Sequence, residues 1–102
     1  MVSPSGAYWV RVELERGAVE YLLGPDIVDI EQVADVSAVL TLLDGRSWEL
    51  RVITAEALTA EIERWRLTAG PDNLMSYSDL FVVSARGLET MSRAIATAIA
   101  SL

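Results

Sequence analysis

The 102-residue chain has no histidine, no cysteine and no lysine; all eight of its basic residues are arginine. Each absence removes a kind of chemistry. Without imidazole there is no side chain suited to general acid–base work near neutral pH. Without thiolate there is no soft-metal ligand and no sulfur nucleophile. Without lysine there is no Schiff base or acyl-lysine. Carboxylates, hydroxyls, Arg, Tyr and Trp remain. No disulfide or zinc staple is available, so burial alone must stabilise a domain of this size. No apolar run approaches the roughly 20 residues of a membrane-spanning helix. The segment Met1–Gly6 has neither a basic start nor an apolar stretch, so no secretory leader is expected, and the default expectation is the cytoplasm. Arginine without lysine, beside abundant Ala, Val and Leu, is the codon bias of a GC-rich genome.

What the chain does contain is apolar and acidic. Hydrophobic residues make up 52%, which argues against disorder, and the length fits a single domain over residues 1–102. Fifteen acids against eight arginines give a net charge of −7. The arginines, at 11, 16, 46, 51, 64, 66, 86 and 93, are scattered. Phosphate binding needs clustered cations, so neither nucleic acid nor an anionic membrane is an expected partner. Residues 1–35 hold seven acids and two arginines, a net −5; residues 36–102 hold eight acids and six arginines, a net −2. The negative field is therefore expected mainly over the first third.

The apolar pattern begins with period two. Tyr8, Val10, Val12 and Leu14 alternate with Trp9, Arg11, Glu13 and Glu15, predicting a strand. With Arg16-Gly17 as a two-residue turn, a hairpin with residues 18–23 pairs Leu14 with Val19, Val12 with Tyr21 and Val10 with Leu23, and sets Trp9 opposite Gly24. Gly24-Pro25-Asp26 ends that strand, and residues 27–35 read as a short strand or edge segment. Residues 36–43 and 46–53 predict a second hairpin. A three-residue loop, Leu43-Asp44-Gly45, pairs Leu40 with Trp48 and Ala38 with Leu50 and keeps the apolar faces together, with Gly45 left-handed in a bulge. Thr54 is a helix N-cap, and Leu58, Ile62, Trp65 and Ala69 follow at helical spacing until Gly70-Pro71. Leu80-Phe81-Val82-Val83, within a strand over 77–84, reads as covered on both faces. A last helix over 88–101 carries Leu88, Met91, Ile95, Ile99 and Leu102 on one stripe. The expected architecture is α+β: an antiparallel meander of four to five strands, then helix-strand-helix, with both helices on one face of the sheet.

Candidate chemistry is sparse. Asp26-x-x-Asp29-x-Glu31, with Asp35, lacks the spacing and glycine of a calcium loop. It reads either as a solvated acidic edge or as a partner-binding patch. Ser76-Tyr77-Ser78-Asp79 has no histidine or lysine to activate a serine and no G-x-S-x-G elbow. No glycine pattern for nucleotide binding occurs. Trp48 and Trp65 lie on apolar stripes and are expected in the core. Trp9 lies on the polar face of its strand, as a cover for Gly24 or as an exposed aromatic of the kind found at binding hot spots. Ala94, Ala96, Ala98 and Ala100 leave the last helix with a smooth outer side.

The stretch from Trp48-Glu49-Leu50 through Thr54 and Glu61-Ile62-Glu63-Arg64-Trp65-Arg66-Leu67-Thr68-Ala69-Gly70 to Tyr77-Ser78-Asp79-Leu80-Phe81-Val82-Val83 resembles small uncharacterised actinobacterial α+β proteins. The resemblance covers about residues 46–84 and its motif is structural. At the level of fold the chain is also similar to bacterial toxin-immunity proteins, an analogy that transfers no functional residue.

These readings lead to an expected non-enzymatic, acidic, protein-binding module, of toxin-immunity or inhibitor type, with no cofactor and no metal. Its partner-facing residues are expected to be Trp9, Glu13, Glu15, Glu20, Asp26, Asp29, Glu31 and Asp35, meeting a basic surface. A homo-oligomeric structural domain is the first alternative, associating through the last helix, which contains Leu88, Met91, Ile95 and Ile99, or through an edge strand. A small carboxylate-dependent ligand- or metal-binding enzyme is the second.

Overall fold

A computed structural model describes residues 6–70, 74 and 79–101. The alternating residues form β1 (Tyr8–Leu14) and β2 (Gly17–Leu23). Their register differs from the expected one by two residues: Leu14 pairs with Gly17, Val12 with Val19, Val10 with Tyr21, and Trp9 with Leu22 rather than Gly24. The turn is Glu15-Arg16, and Gly17 is a strand residue. The reason lies in the next strand. A Cβ on Gly17 would stand 2.1 Å from the Thr41 carbonyl oxygen, so glycine serves close strand approach here and not a turn. A shift of two keeps every side chain on its face, so the apolar faces still coincide.

Residues 24–34 form no strand. Asp29 caps a 3-10 turn over Ile30–Gln32, its Oδ1 accepting the Glu31 N–H at 2.9 Å. The segment is fastened at its end, where the carbonyls of Val33 and Ala34 accept from Gly87 N and Thr54 N, both at 2.8 Å. The second hairpin, β3 (Asp35–Leu42) and β4 (Ser47–Thr54), has the expected register: Leu40 faces Trp48 and Ala38 faces Leu50. Gly45 has φ +93°, as the bulged loop requires.

Helix α1 (Ala55–Thr68) starts at Thr54, whose side chain accepts the Ala57 N–H at 3.1 Å. It leads to β5 (Leu80–Val83), which lies parallel to β4. Helix α2 (Leu88–Ile99) ends the fold. Strand order is β1-β2-β3-β4-β5, and the class is α+β. The two helices do not share a face, contrary to the expectation. Leu88, Met91, Ile95 and Ile99 of α2 are buried in one cluster with Val19, Tyr21, Leu40 and Val52. Arg51 and Ile53 point the other way, and Arg51 binds Glu61 of α1. Val52 and Ile53 are apolar on opposite sides of β4, so both faces need cover there and one helix goes to each.

Other expectations are corrected in the same region. Trp48 is 37% exposed and Trp65 only half-buried, so neither belongs to the buried core. Ile62 is exposed, and Glu61 takes the sheet-facing place beside Leu58 and Trp65. Val82 is 50% exposed, so β5 is not covered on both faces. Residues 77–78 of the expected strand, and Ser76-Tyr77-Ser78, lie outside the described residues.

Burial of the α2 stripe and its partners is the main stabilising term, each fully buried aliphatic side chain contributing about 1.5–3 kcal/mol. One polar contact crosses this core: Tyr21 Oη and Ser92 Oγ are 2.8 Å apart. Burial raises the Tyr21 pKa above its ordinary value, the Ser92 hydrogen bond opposing the shift. The folded state thus favours the neutral phenol. Its contribution is complete below the unfolded tyrosine pKa of about 10 and declines as pH rises through the folded value. Tyr21→Phe is expected to cost about 1 kcal/mol at neutral pH, because Ser92 can turn to a carbonyl of its own helix. It is also expected to flatten the loss of stability above pH 10. Urea midpoints at pH 7 and across the alkaline range check both.

Candidate protein-binding face

On the face away from α2, cross-strand pairing sets side chains in rows. Trp9, Leu22, Ser37 and Arg51 form one row; Arg11, Glu20, Val39 and Glu49 form the next; Glu13, Ala18, Thr41 and Ser47 form the third. Helix α1 packs on this face over β4 and β5, and among the described residues no helix makes comparable contact with this face of β1 to β3. A groove of about 500 Å³ runs across the opening, lined by Trp9, Leu22, Val39, Glu49 and Arg51 among others. Trp9 is 49% exposed, and Leu22 and Val39 are half-buried. The surface is an apolar strip set among carboxylates.

Electrostatics sharpen that picture. Arg11 Nε donates to Glu13 at 2.6 Å, and its Nη1 reaches Glu20 at 3.5 Å. Those contacts hold the Arg11 pKa above its ordinary value, the Glu13 hydrogen bond contributing most. Arg51 is forked between two elements, donating to Asp35 at 2.6 and 2.8 Å and to Glu61 at 2.7 and 3.1 Å. Hydrogen bonds from Asp35 first and Glu61 second raise its pKa, so it stays cationic and ties α1 to the sheet. Glu13, Glu20, Asp35, Glu49 and Glu61 thus stand against Arg11 and Arg51, and the face is net negative.

The structure divides the eight sequence-predicted residues. Trp9, Glu13 and Glu20 come together on the open face. Asp35 lies at its margin, with its carboxylate on Arg51. Glu15 sits in the β1–β2 turn. Asp26 and Asp29 belong to the segment after β2, and Asp29 is used as a cap. Glu31 faces the start of α2, near Gly87. Asp29 and Glu31 do not project from one extended strand, because Asp29 caps the 3-10 turn that holds Glu31. Among the described residues no three acids are grouped to hold a metal ion.

Sequence reasoning missed Leu22, Val39 and Glu49. Leu22 and Val39 carried a signal, being apolar residues at the polar positions of their strands. Glu49 carried none, since its neighbours on the face come from β3 and β2.

No helix among the described residues is long and apolar enough to cross a membrane. No family model, curated protein or solved structure matches the chain.

Proposed function

We propose that the chain is a non-enzymatic protein-binding module, of immunity or inhibitor type, that offers its open sheet face to a basic partner. The observation that carries this reading is Trp9, half-exposed beside Leu22 in a groove that also takes in Val39 and Glu49, with Glu13 and Glu20 further along the same face around Arg11. A large rigid aromatic on an apolar strip is the kind of group that anchors an interface. Surrounding carboxylates steer a cationic surface toward it and disfavour acidic competitors. The mechanism is occlusion: the face docks over a basic cleft and blocks access to it.

Capture of partners from the native host tests the proposal. Trp9→Ala is expected to weaken capture by about 30-fold, the loss typical of a hot spot. Neutralising Glu13, Glu20 and Glu49 together is expected to slow association and to weaken its salt dependence. Neutralising Asp26, Asp29 and Glu31, away from the face, is expected to change little. A partner held equally well by wild type, Trp9→Ala and the triple neutralised variant would sink the reading.

A further inference from the structure

We infer that β1 pairs with β1 of a second copy of this chain, antiparallel and centred on Val12, joining two sheets into one. This goes beyond the proposed partner face, which it leaves open on both copies.

Strand β1 is an edge of the sheet. Edge strands usually carry a device against pairing, such as a proline, a bulge or a charge on the covered side. Residues 8–14 carry none. They contain no proline, they pair with β2 without interruption, and both charges, Arg11 and Glu13, lie on the open face. The opposite edge, β5, is only four residues long.

The direction of the free backbone groups follows from the sheet. Leu43 N donates to Arg16 O across the β2–β3 boundary. Alternation then directs the amides of Gly17, Val19 and Tyr21 toward β1 and those of Val10, Val12 and Leu14 toward β2. The N–H and C=O groups of Trp9, Arg11 and Glu13 therefore point out of the free edge.

Charge selects the occupant and the register. With the two-fold axis at Val12, Arg11 of each copy stands opposite Glu13 of the other, each pair exchanging both of its N–H···O bonds. On the α2 side, Val12 meets Val12 and Val10 meets Leu14. Centring on Arg11 sets two arginines opposite each other, and centring on Glu13 sets two glutamates opposite each other; both are unfavourable. The apolar pairs also lie beside a groove that the described residues of a single copy leave open. A groove of about 500 Å³ runs between β1 and α2, lined by Val10, Val12, Leu14, Leu88 and Ala96 among others. Because the axis is perpendicular to the sheet, both copies present Trp9 on the same side.

Sedimentation of the full chain over a micromolar range, with the fold checked by circular dichroism, tests the proposal. Wild type is expected to show a concentration-dependent monomer–dimer equilibrium. Arg11→Glu and Glu13→Arg are each expected to weaken it by about tenfold, since each sets like charges opposite twice. Mixing the two variants is expected to restore a heterodimer, and the double exchange Arg11→Glu/Glu13→Arg to restore the homodimer. The chain has no cysteine, so single cysteines report the register. Val12→Cys is expected to oxidise to a covalent dimer, because facing residues without mutual hydrogen bonds approach to disulfide distance. Val10→Cys is expected not to. A strictly monomeric wild type, a dimer indifferent to both charge variants, or equal cross-linking at positions 10 and 12 would each overturn the inference. Glu13 lies in both the seam and the partner face, so capture is read separately with Trp9→Ala and with Glu20 and Glu49 neutralised, side chains outside the seam, and the two proposals fail separately.

Discussion

Gly17→Ala is expected to remove about 3 kcal/mol or more of stability, a large fraction of the 5–15 kcal/mol that holds a typical domain folded. The added Cβ would meet Thr41 O at 2.1 Å, Leu42 Cα at 2.9 Å and Thr41 C at 3.0 Å. All three are backbone atoms of β3, a strand paired on both sides, with β2 and with β4. Relief requires β2 and β3 to separate, which stretches the ladder that carries the open face. Gly45→Ala is the contrasting variant. Its Cβ meets nothing within 4 Å, and only the positive φ of +93° is strained, so about 1 kcal/mol is expected. Urea midpoints for the two variants measure the difference. Equal losses would show that the close approach of β2 to β3 is not what requires glycine at position 17.

Ile95→Ala is expected to cost about 3–4 kcal/mol, within the range for a truncated core aliphatic that leaves a cavity. Ile95 is 0% exposed, on the α2 stripe with Leu88, Met91 and Ile99. No residue of α1 is buried to that degree, so Leu58→Ala in α1 is expected to cost only about 1 kcal/mol. Calorimetric or urea unfolding of both variants checks the contrast. Comparable losses would place α1 in the core on equal terms with α2. The same burial bears on the expected self-association through α2. Its four marker residues, Leu88, Met91, Ile95 and Ile99, are committed to the sheet, which leaves only the outer, alanine-rich side of the helix.

Much of the fold was legible because its signals are local. The β3–β4 register followed from the three-residue loop Leu43-Asp44-Gly45 and the need to keep Leu40, Trp48, Ala38 and Leu50 on one side. Thr54 announced α1, and the spacing of Leu88, Met91, Ile95 and Ile99 announced α2. The β1–β2 register was not legible, because Gly17 resembles a turn glycine until β3 is in place. The role of Glu61 was hidden in the same way. Its helical face is charged, and only the fork from Arg51 to Asp35 and Glu61 explains a carboxylate turned toward a sheet. Of the candidate site, Trp9, Glu13 and Glu20 were readable from the polar side of the first hairpin. Leu22 and Val39 needed the sheet to bring them alongside.

Sequence alone determined what is missing. Without His, Cys or Lys, the chain has no imidazole, thiolate or amine side chain, whatever its fold. Sequence also determined that the chain is acidic and which segments are periodic enough to become the two hairpins and the two helices, since charge and periodicity are properties of neighbours along the chain. Tertiary structure decided how the negative charge is spent. The net −5 of the first third does not form one patch: Asp29 caps a turn, Asp35 binds Arg51, Glu31 faces α2, and Glu13 and Glu20 pair with Arg11 on the face that carries Trp9. The physical reason is that pairing across strands, not proximity in sequence, sets which carboxylates share a surface.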